Sequence, residues 1–226
     1  MGTIYLVRHG QASFGTADYD RLSDLGRRQG VRLGQYWRER FGAGLRFDAV
    51  LTGTLRRQVD TWSAIAEGAG LRMERTAWPG LNEYDSHAVI AALRRAAPLA
   101  RADSPRQHQA HFRVLREALA HWMAGHTQPV GMPSYADFVR GVTSALDYVR
   151  EKFDGDVLLV SSGGPIATAV AQVLRTPAEV SIDLNLRIRN SAVTEFAYNP
   201  KRHALLTYNT LPHLDGAAYA DWVTYT

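Results

Sequence analysis

The amino-terminal sequence TIYLVRHG, residues 3–10, joins a run of strand-forming residues directly to the tripeptide RHG. The apolar side chains in this run are consecutive rather than alternating, which is typical of a strand covered on both faces. Residues 157–160, VLLV, show the same pattern, and residues 49–51, AVL, are a shorter case. These three segments are therefore predicted to be central strands of a sheet.

Helical periodicity alternates with the predicted strands. Apolar residues recur every three or four positions after Ser23, after Leu55 and over residues 135–153. Ser134 stands directly before the last of these helices, where its hydroxyl can cap the helix start. The alternation favours an α/β fold: a three-layer sandwich with a mostly parallel central sheet and helices on both faces.

Two further segments complete the predicted organisation. Residues 193–198 and 204–208 flank the turn sequence NPKR at 199–202, which predicts a β-hairpin. Residues 86–133 have no strand pattern and are rich in Ala, Arg and His, so we interpret them as a helical lid insertion over one end of the sheet. The whole chain, residues 1–226, is then one domain that carries this insertion.

Composition narrows the classes of function. The chain has 226 residues, 46% of them hydrophobic, and no cysteine, which excludes disulfides and thiolate chemistry. Its net charge of +4 is scattered rather than clustered, so we expect no nucleic-acid binding. No run approaches the roughly 18 apolar residues of a membrane span, and we expect no leader peptide and a cytoplasmic location. Oligomeric state stays open.

Polar and glycine residues follow each predicted central strand. The sequence is RHGQ at residues 8–11, TGTLRR at 52–57 and SSGG at 161–164, where a helix is predicted to begin. Ligands of open α/β sheets bind beyond the carboxyl ends of the strands, where these segments meet. Arginine forks match phosphate oxygens, and the N–H groups of a helix start attract anions. The pattern predicts an anion pocket that contains His9.

These residues also resemble the signature of the histidine phosphatase superfamily, the phosphoglycerate-mutase-like proteins. The resemblance covers nearly the whole chain and is carried, in order, by LVRHG at 6–10, Leu22-Ser23 with Gly26 and Gln29, LRR at 55–57 with Thr61, LNE at 81–83 and NSAVT at 190–194. RHG alone is a weak signal, whereas RHG after a buried amino-terminal strand with the other motifs in order is a strong one.

The resemblance implies a mechanism and a set of site residues. His9 attacks phosphorus and carries a phosphohistidine, while Glu83 protonates the leaving oxygen as a general acid. An imidazole titrates near pH 6.5, so a neutral nucleophile is available at physiological pH. The substrate is a phosphorylated small molecule, and hydrolysis requires no cofactor and no metal. The implied substrate-binding residues are Arg8, Arg57, Gly10, Gln11, Ser162 and Gly163.

One position departs from the family pattern. Where the family has Ser-His-Gly-Gly, this chain has Ser161-Ser162-Gly163-Gly164, so Ser162 replaces the second histidine of the pocket. A hydroxyl can donate one hydrogen bond but carries no positive charge. We therefore favour a phosphatase, with a phosphoglycerate-mutase-type transferase or a weakly active phosphate-binding pseudoenzyme as alternatives. His87, four residues after Glu83, is a hypothetical substitute for the missing histidine.

Several competing assignments stay open at this point. Arg56 competes with Arg57 as the pocket arginine, and Asp85 competes with Glu83 as the acid. A serine nucleophile at Ser162 is disfavoured because a nucleophile elbow needs glycine two residues before it, where Val160 stands. Four histidines between positions 108 and 126 have no acidic or sulfur ligand at matching spacing, and we predict no metal site there.

Overall fold

The computed structural model describes residues 1–13, 20–93 and 105–225, with the side chains of 105–109 left undescribed. The described strands are β1 (Gly2–Arg8), β2 (Ala49–Thr52), β3 (Thr76–Ala77), β4 (Val157–Ser161), β5 (Val193–Asn199) and β6 (Arg202–Thr210). They form one sheet in the order β3-β2-β4-β1-β5-β6. Neighbouring strands are parallel from β3 to β1, whereas β5 and β6 add an antiparallel edge. The mostly parallel sheet of an α/β fold is confirmed.

The described helices are α1 (Asp24–Phe41), α2 (Arg56–Ala69), α3 (Ser86–Leu93), α4 (Pro105–Met123), α5 (Tyr135–Lys152), α6 (Gly163–Leu174) and α7 (Val180–Asn185). Ser134 caps α5 as predicted, and Ser23 caps α1 in the same way. The Ser23 hydroxyl accepts a hydrogen bond from the Gly26 N–H, and the Ser134 hydroxyl accepts one from the Asp137 N–H. Each bond satisfies an N–H group that has no partner inside its own helix.

The core lies on both faces of the sheet. Ile4 and Leu6 of β1 point into one buried cluster, which includes apolar residues of α5 and α6. Tyr5 and Val7 point into a second buried cluster on the opposite face, with apolar residues of α1 and α2. Side chains alternate between the faces of a strand, so consecutive apolar residues are what a doubly covered strand requires. The three-layer arrangement is confirmed.

The remaining elements agree in part with the expectations. The predicted hairpin is present, and its turn is held by the Asn199 side chain, which accepts from the N–H groups of Lys201 and Arg202. Strand β3 was not predicted, because it has only two residues and both are exposed. Within residues 86–133, α3 and α4 are helical and none of the described residues is in a strand. The sequence Ser104-Pro105 also predicts a helix start, and Ser104 lies outside the described residues.

In the described part of the chain, no helix combines the length and the apolar character needed to cross a membrane.

Candidate active site

His9 lies directly after β1, with only 3% of its surface exposed. Its Nδ1 is 2.7 Å from the Gly10 carbonyl oxygen, and its Nε2 is 3.2 Å from Nε of Arg57. A carbonyl only accepts and an arginine only donates, so these partners assign the proton to Nδ1 and a lone pair to Nε2. The ring is therefore held in the tautomer that leaves Nε2 nucleophilic.

The electrostatic environment also keeps this ring neutral. Burial lowers the pKa of His9 well below its ordinary value, and the nearby positive charges of Arg8 and Arg57 lower it further. The hydrogen bond to Gly10 opposes this shift without reversing it. His9 is consequently unprotonated at neutral pH.

Arg57, rather than Arg56, is the arginine beside His9. Arg57 is buried at the start of α2, and its Nη1 donates to Oδ1 of Asp20 over 2.7 Å. The exposed Arg56 side chain lies 3.6 Å from Asp60 in an ion pair on the helix surface. Asp20 also accepts from the Arg56 backbone N–H, so one carboxylate fixes both the helix start and the Arg57 guanidinium.

The backbone after His9 is braced against α1 and α2. The Gly10 N–H donates to the Thr61 hydroxyl over 3.0 Å, and the Gln11 N–H donates to Oε1 of Gln29 over 2.8 Å. A Cβ atom at Gly10 would lie 2.3 Å from the Gly26 carbonyl oxygen, so only glycine allows this close approach. These contacts explain why Gly10, Gly26, Gln29 and Thr61 appear together in the sequence pattern.

The carbonyl of His9 is held from the opposite side. It accepts from the Asn190 side-chain amide over 3.3 Å and from the Ser191 N–H over 3.2 Å. Ser191 has a positive φ of 56°, a conformation that costs a non-glycine residue energy. Its hydroxyl pairs with Nε2 of the buried His213 over 2.9 Å.

Arg8 ends β1 and directs its guanidinium toward the carboxyl-terminal segment. Its Nη1 donates to the Ile188 carbonyl over 2.5 Å and to the Tyr225 carbonyl over 3.2 Å. Its charge nevertheless acts on the pocket, since it lowers the pKa of both His9 and Glu83. Arg8 therefore contributes positive potential to the site while its hydrogen bonds tie β1 to the end of the chain.

Glu83 lies against the amino terminus of α6. Its Oε2 accepts from the Gly164 N–H over 3.0 Å, and its Oε1 accepts from the Tyr84 N–H over 3.2 Å. Burial raises the pKa of the Glu83 carboxyl, although the Gly164 bond and the charges of Arg57 and Arg8 partly offset this effect. The competing Asp85 is exposed and accepts from the N–H groups of His87 and Ala88 at the start of α3.

Ser162 and Gly163 form the junction between β4 and α6. The Ser162 side chain is completely buried, and its Oγ accepts from Nε2 of Gln58 over 2.9 Å. The same Gln58 amide donates to the Leu81 carbonyl. A Cβ atom at Gly163 would lie 2.1 Å from Oδ1 of Asn185, so this helix start packs closely against α7. Gln58 thus joins the start of α6 to the segment that precedes Glu83.

The hypothesis that His87 replaces the missing histidine is wrong. Its side chain is 93% exposed, and its Nδ1 lies 3.8 Å from Oδ1 of Asp85. The first turn of α3 directs it to solvent instead of toward His9.

Three residues that contribute to the site were not identified from the sequence: Asp20, Gln58 and His213. Asp20 and His213 belong to none of the quoted motifs, and their partners lie 37 and 22 residues away along the chain. Gln58 follows the LRR motif directly, so its place in the first turn of α2 was the available signal. Among the described residues, no group of three or more His, Asp and Glu side chains is placed to hold a metal ion.

A comparison with models of known protein families gives a match over most of this chain. The model of the histidine phosphatase superfamily, branch 1, matches residues 4–211. This chain belongs to that superfamily. Among curated proteins, none matches it in sequence.

Solved structures of histidine phosphatase relatives have the same fold. A phosphoserine phosphatase mutant from Entamoeba histolytica in complex with phosphoserine is 17% identical, with a TM-score of 0.63, over 95% of this chain and 100% of that one. A putative alpha-ribazole-5'-P phosphatase from Escherichia coli is 20% identical, with a TM-score of 0.65, over 93% of this chain and 97% of that one. A mycobacterial glucosyl-3-phosphoglycerate phosphatase is 23% identical, with a TM-score of 0.61, over 93% of this chain and 99% of that one.

Proposed function

We propose that this chain is a phosphatase that hydrolyses small phosphomonoesters through a phosphohistidine at His9. The observation that carries the proposal is the tautomer of His9: Nδ1 is bonded to the Gly10 carbonyl and the Nε2 lone pair faces Arg57. A neutral imidazole with a fixed lone pair among guanidinium groups is a prepared nucleophile for an anionic phosphoryl group. The three phosphatases of similar fold favour hydrolysis over mutase chemistry.

The first step forms the phosphoenzyme. Nε2 of His9 attacks phosphorus in line with the ester oxygen, and the P–O bond to the alcohol breaks. Arg57 and Arg8 stabilise the charge on the phosphoryl oxygens. The N–H of Gly163 and the hydroxyl of Ser162 lie at the start of α6, where anions are favoured. Gly10 and Gln11 act by holding the His9 backbone in place.

Glu83 handles the proton in both steps. Burial raises the pKa of its carboxyl, which favours the protonated form needed to donate to the leaving oxygen. In the second step, water attacks phosphorus and gives its proton to the Glu83 carboxylate. The P–N bond then breaks, its electron pair returns to Nε2, and inorganic phosphate leaves.

The test is phosphate release from p-nitrophenyl phosphate by the wild-type chain and by His9→Ala. We expect the variant to lose more than about 1000-fold in rate. Acid-labile phosphate should be trapped on His9 of the wild-type chain after rapid quenching and be located by mass spectrometry. Equal rates in the two proteins would disprove the proposed phosphatase activity through His9.

A second candidate, a phosphate-binding protein with weak turnover, is favoured by Ser162. Its buried hydroxyl already accepts from Gln58 and supplies no positive charge. Removing one donor from an electrostatic site costs roughly 100- to 1000-fold in rate. Under this candidate Ser162→His together with Gln58→Ala, which makes room for the ring, raises the rate strongly, whereas an already competent phosphatase gains little.

A further inference from the structure

The segment formed by residues 222–225 is bonded to the two elements that flank the candidate active site. Its Trp222 carbonyl accepts a hydrogen bond from Nε2 of Gln29 in α1 over 2.6 Å. Its Tyr225 carbonyl accepts one from Nη1 of Arg8 at the end of β1 over 3.2 Å. The backbone of this segment is therefore fixed next to the strand end that carries the nucleophile.

The hydroxyl of Thr224, within the same segment, joins two buried amide side chains. Its Oγ1 accepts from Nε2 of Gln29 over 3.0 Å and donates to Oδ1 of Asn190 over 2.9 Å. The Thr224 carbonyl also accepts from the Asn190 N–H over 2.9 Å, which holds the hydroxyl in place. Both amide side chains are completely buried, so bulk water does not replace the hydroxyl as their partner.

These bonds complete a chain that begins and ends on the backbone around the nucleophile. The Gln11 N–H donates to Oε1 of Gln29, and Nδ2 of Asn190 donates to the His9 carbonyl. Thr224 links these two bonds. Every donor in the chain points the same way, from Gln11 toward His9, so each bond strengthens the next. Loss of the hydroxyl would break the chain at its middle.

We propose that Thr224 is a positioning residue for His9, because its hydroxyl fixes the two amide side chains that hold the backbone of residues 9–11. This inference rests on the proposed function, in which Nε2 of His9 attacks phosphorus. Nδ1 of the ring is bonded to the Gly10 carbonyl, so a shift of this backbone moves the ring with it. In-line attack tolerates little displacement, and a shift of about 1 Å costs about 100-fold in rate.

Thr224→Val replaces the hydroxyl with a methyl group of similar size, whereas Thr224→Ser retains the hydroxyl. We expect kcat of the valine variant to fall by about 10- to 100-fold, with KM changed by less than about threefold, because attack is impaired and phosphate binding is not. The loss should be equal for p-nitrophenyl phosphate and benzyl phosphate, since the nucleophile and not the acid is displaced. Thr224→Ser should recover most of the rate.

Thr143→Val is the matched control, because the Thr143 hydroxyl donates to the Arg140 carbonyl within α5. Its rate should equal that of wild type. Circular dichroism gives the folded fraction of each variant, and kcat is expressed per folded molecule. A wild-type kcat in Thr224→Val, an equal loss in Thr224→Ser, or a loss confined to benzyl phosphate would overturn the inference.

Amide hydrogen exchange tests the same chain of bonds without catalysis. In Thr224→Val the Gln11 N–H should exchange at least about threefold faster than in wild type, whereas the N–H groups of β4 should keep their rates. An unchanged rate at Gln11 would overturn the link through Gln29. Failure of the proposed function gives a different result: exchange at Gln11 becomes faster, yet the wild-type protein releases no phosphate that depends on His9.

Discussion

Nε of Arg57 donates a hydrogen bond to Nε2 of His9 across 3.2 Å, at the end of the central strand of the sheet. Under the proposed function, this contact marks the lone pair that attacks phosphorus, and it places a cation beside the phosphoryl oxygens. In the state described here Arg57 also pairs with Asp20. An arriving phosphoryl group would take over guanidinium hydrogen bonds that His9 and Asp20 now accept.

Arg57→Lys tests this contact while keeping the positive charge. We expect kcat/KM to fall by about 100- to 1000-fold, because an ammonium group cannot donate through a planar fork to two acceptors. Phosphate release from p-nitrophenyl phosphate is the measurement. Arg56→Lys is the matched control on the next residue, and its exposed side chain should leave the rate close to that of wild type. Similar losses in both variants would count against the role of Arg57.

Glu83→Gln should separate substrates by the basicity of their leaving group. An alkyl alkoxide leaves only with a proton, so the rate for benzyl phosphate should fall by about 100- to 10,000-fold. The loss for p-nitrophenyl phosphate should be much smaller, because nitrophenolate leaves without a proton. Equal losses for both esters would mean that Glu83 does not act as the acid.

The dependence of the rate on pH gives an independent check on the roles of His9 and Glu83. The pKa of His9 is lowered, so the rate should stay high below pH 6.5 until the ring becomes protonated. The pKa of Glu83 is raised, so the rate for benzyl phosphate should decline only above the ordinary glutamate range, as the acid loses its proton. Glu83→Gln should abolish the high-pH decline and retain the low-pH one.

The sequence predicted the parts of this site that depend on local pattern. Consecutive apolar residues predict buried strands, and the strand ends determine where His9, Arg57 and Ser162 lie. Ser23 and Ser134 each cap a helix by accepting a hydrogen bond from the N–H three residues ahead. Because this interaction is local, the sequence alone can indicate it. Strand β3 was not predicted, because its two exposed residues are too few to show a hydrophobic pattern.

Side-chain partners distant along the chain were the part that sequence could not supply. The Asp20 carboxylate is matched to Arg57 only when β1 and β2 are aligned within the sheet. His213 follows the β5–β6 hairpin and Ser191 precedes it, so the hairpin brings the two residues together. Burial likewise emerges from the packing, and it raises the pKa of the Glu83 carboxyl.

His213 should make the stability of the protein depend on pH. Burial lowers the pKa of His213 to about 3 in the folded state, whereas an imidazole in the unfolded chain titrates near 6.5. Between these values the unfolded state binds more protons, so the free energy of unfolding falls as the pH drops, by up to about 1.4 kcal/mol per pH unit from this site. The buried His9 adds to the same trend.

Urea unfolding at several pH values between 4 and 7 measures this slope. His213→Gln keeps an amide beside Ser191 but cannot titrate, so its slope should be smaller by about one proton. Its stability at pH 7 should be lower than that of wild type, because the fit to Ser191 is altered. An unchanged slope in His213→Gln would show that His213 is not the titrating group.

Gly164→Ala tests whether the position of Glu83 depends on the absence of a side chain at the start of α6. A Cβ atom at Gly164 would lie 2.2 Å from Oε1 of Glu83 and 2.5 Å from Cε1 of Tyr84, so the carboxyl must move. We expect a loss of at least about tenfold in kcat for benzyl phosphate and a smaller loss for p-nitrophenyl phosphate, because the displaced group is the acid. Gly44→Ala is the control, since a Cβ there meets no atom within 4 Å. Equal losses for the two esters in Gly164→Ala would indicate a general disturbance of α6 instead of a displaced acid.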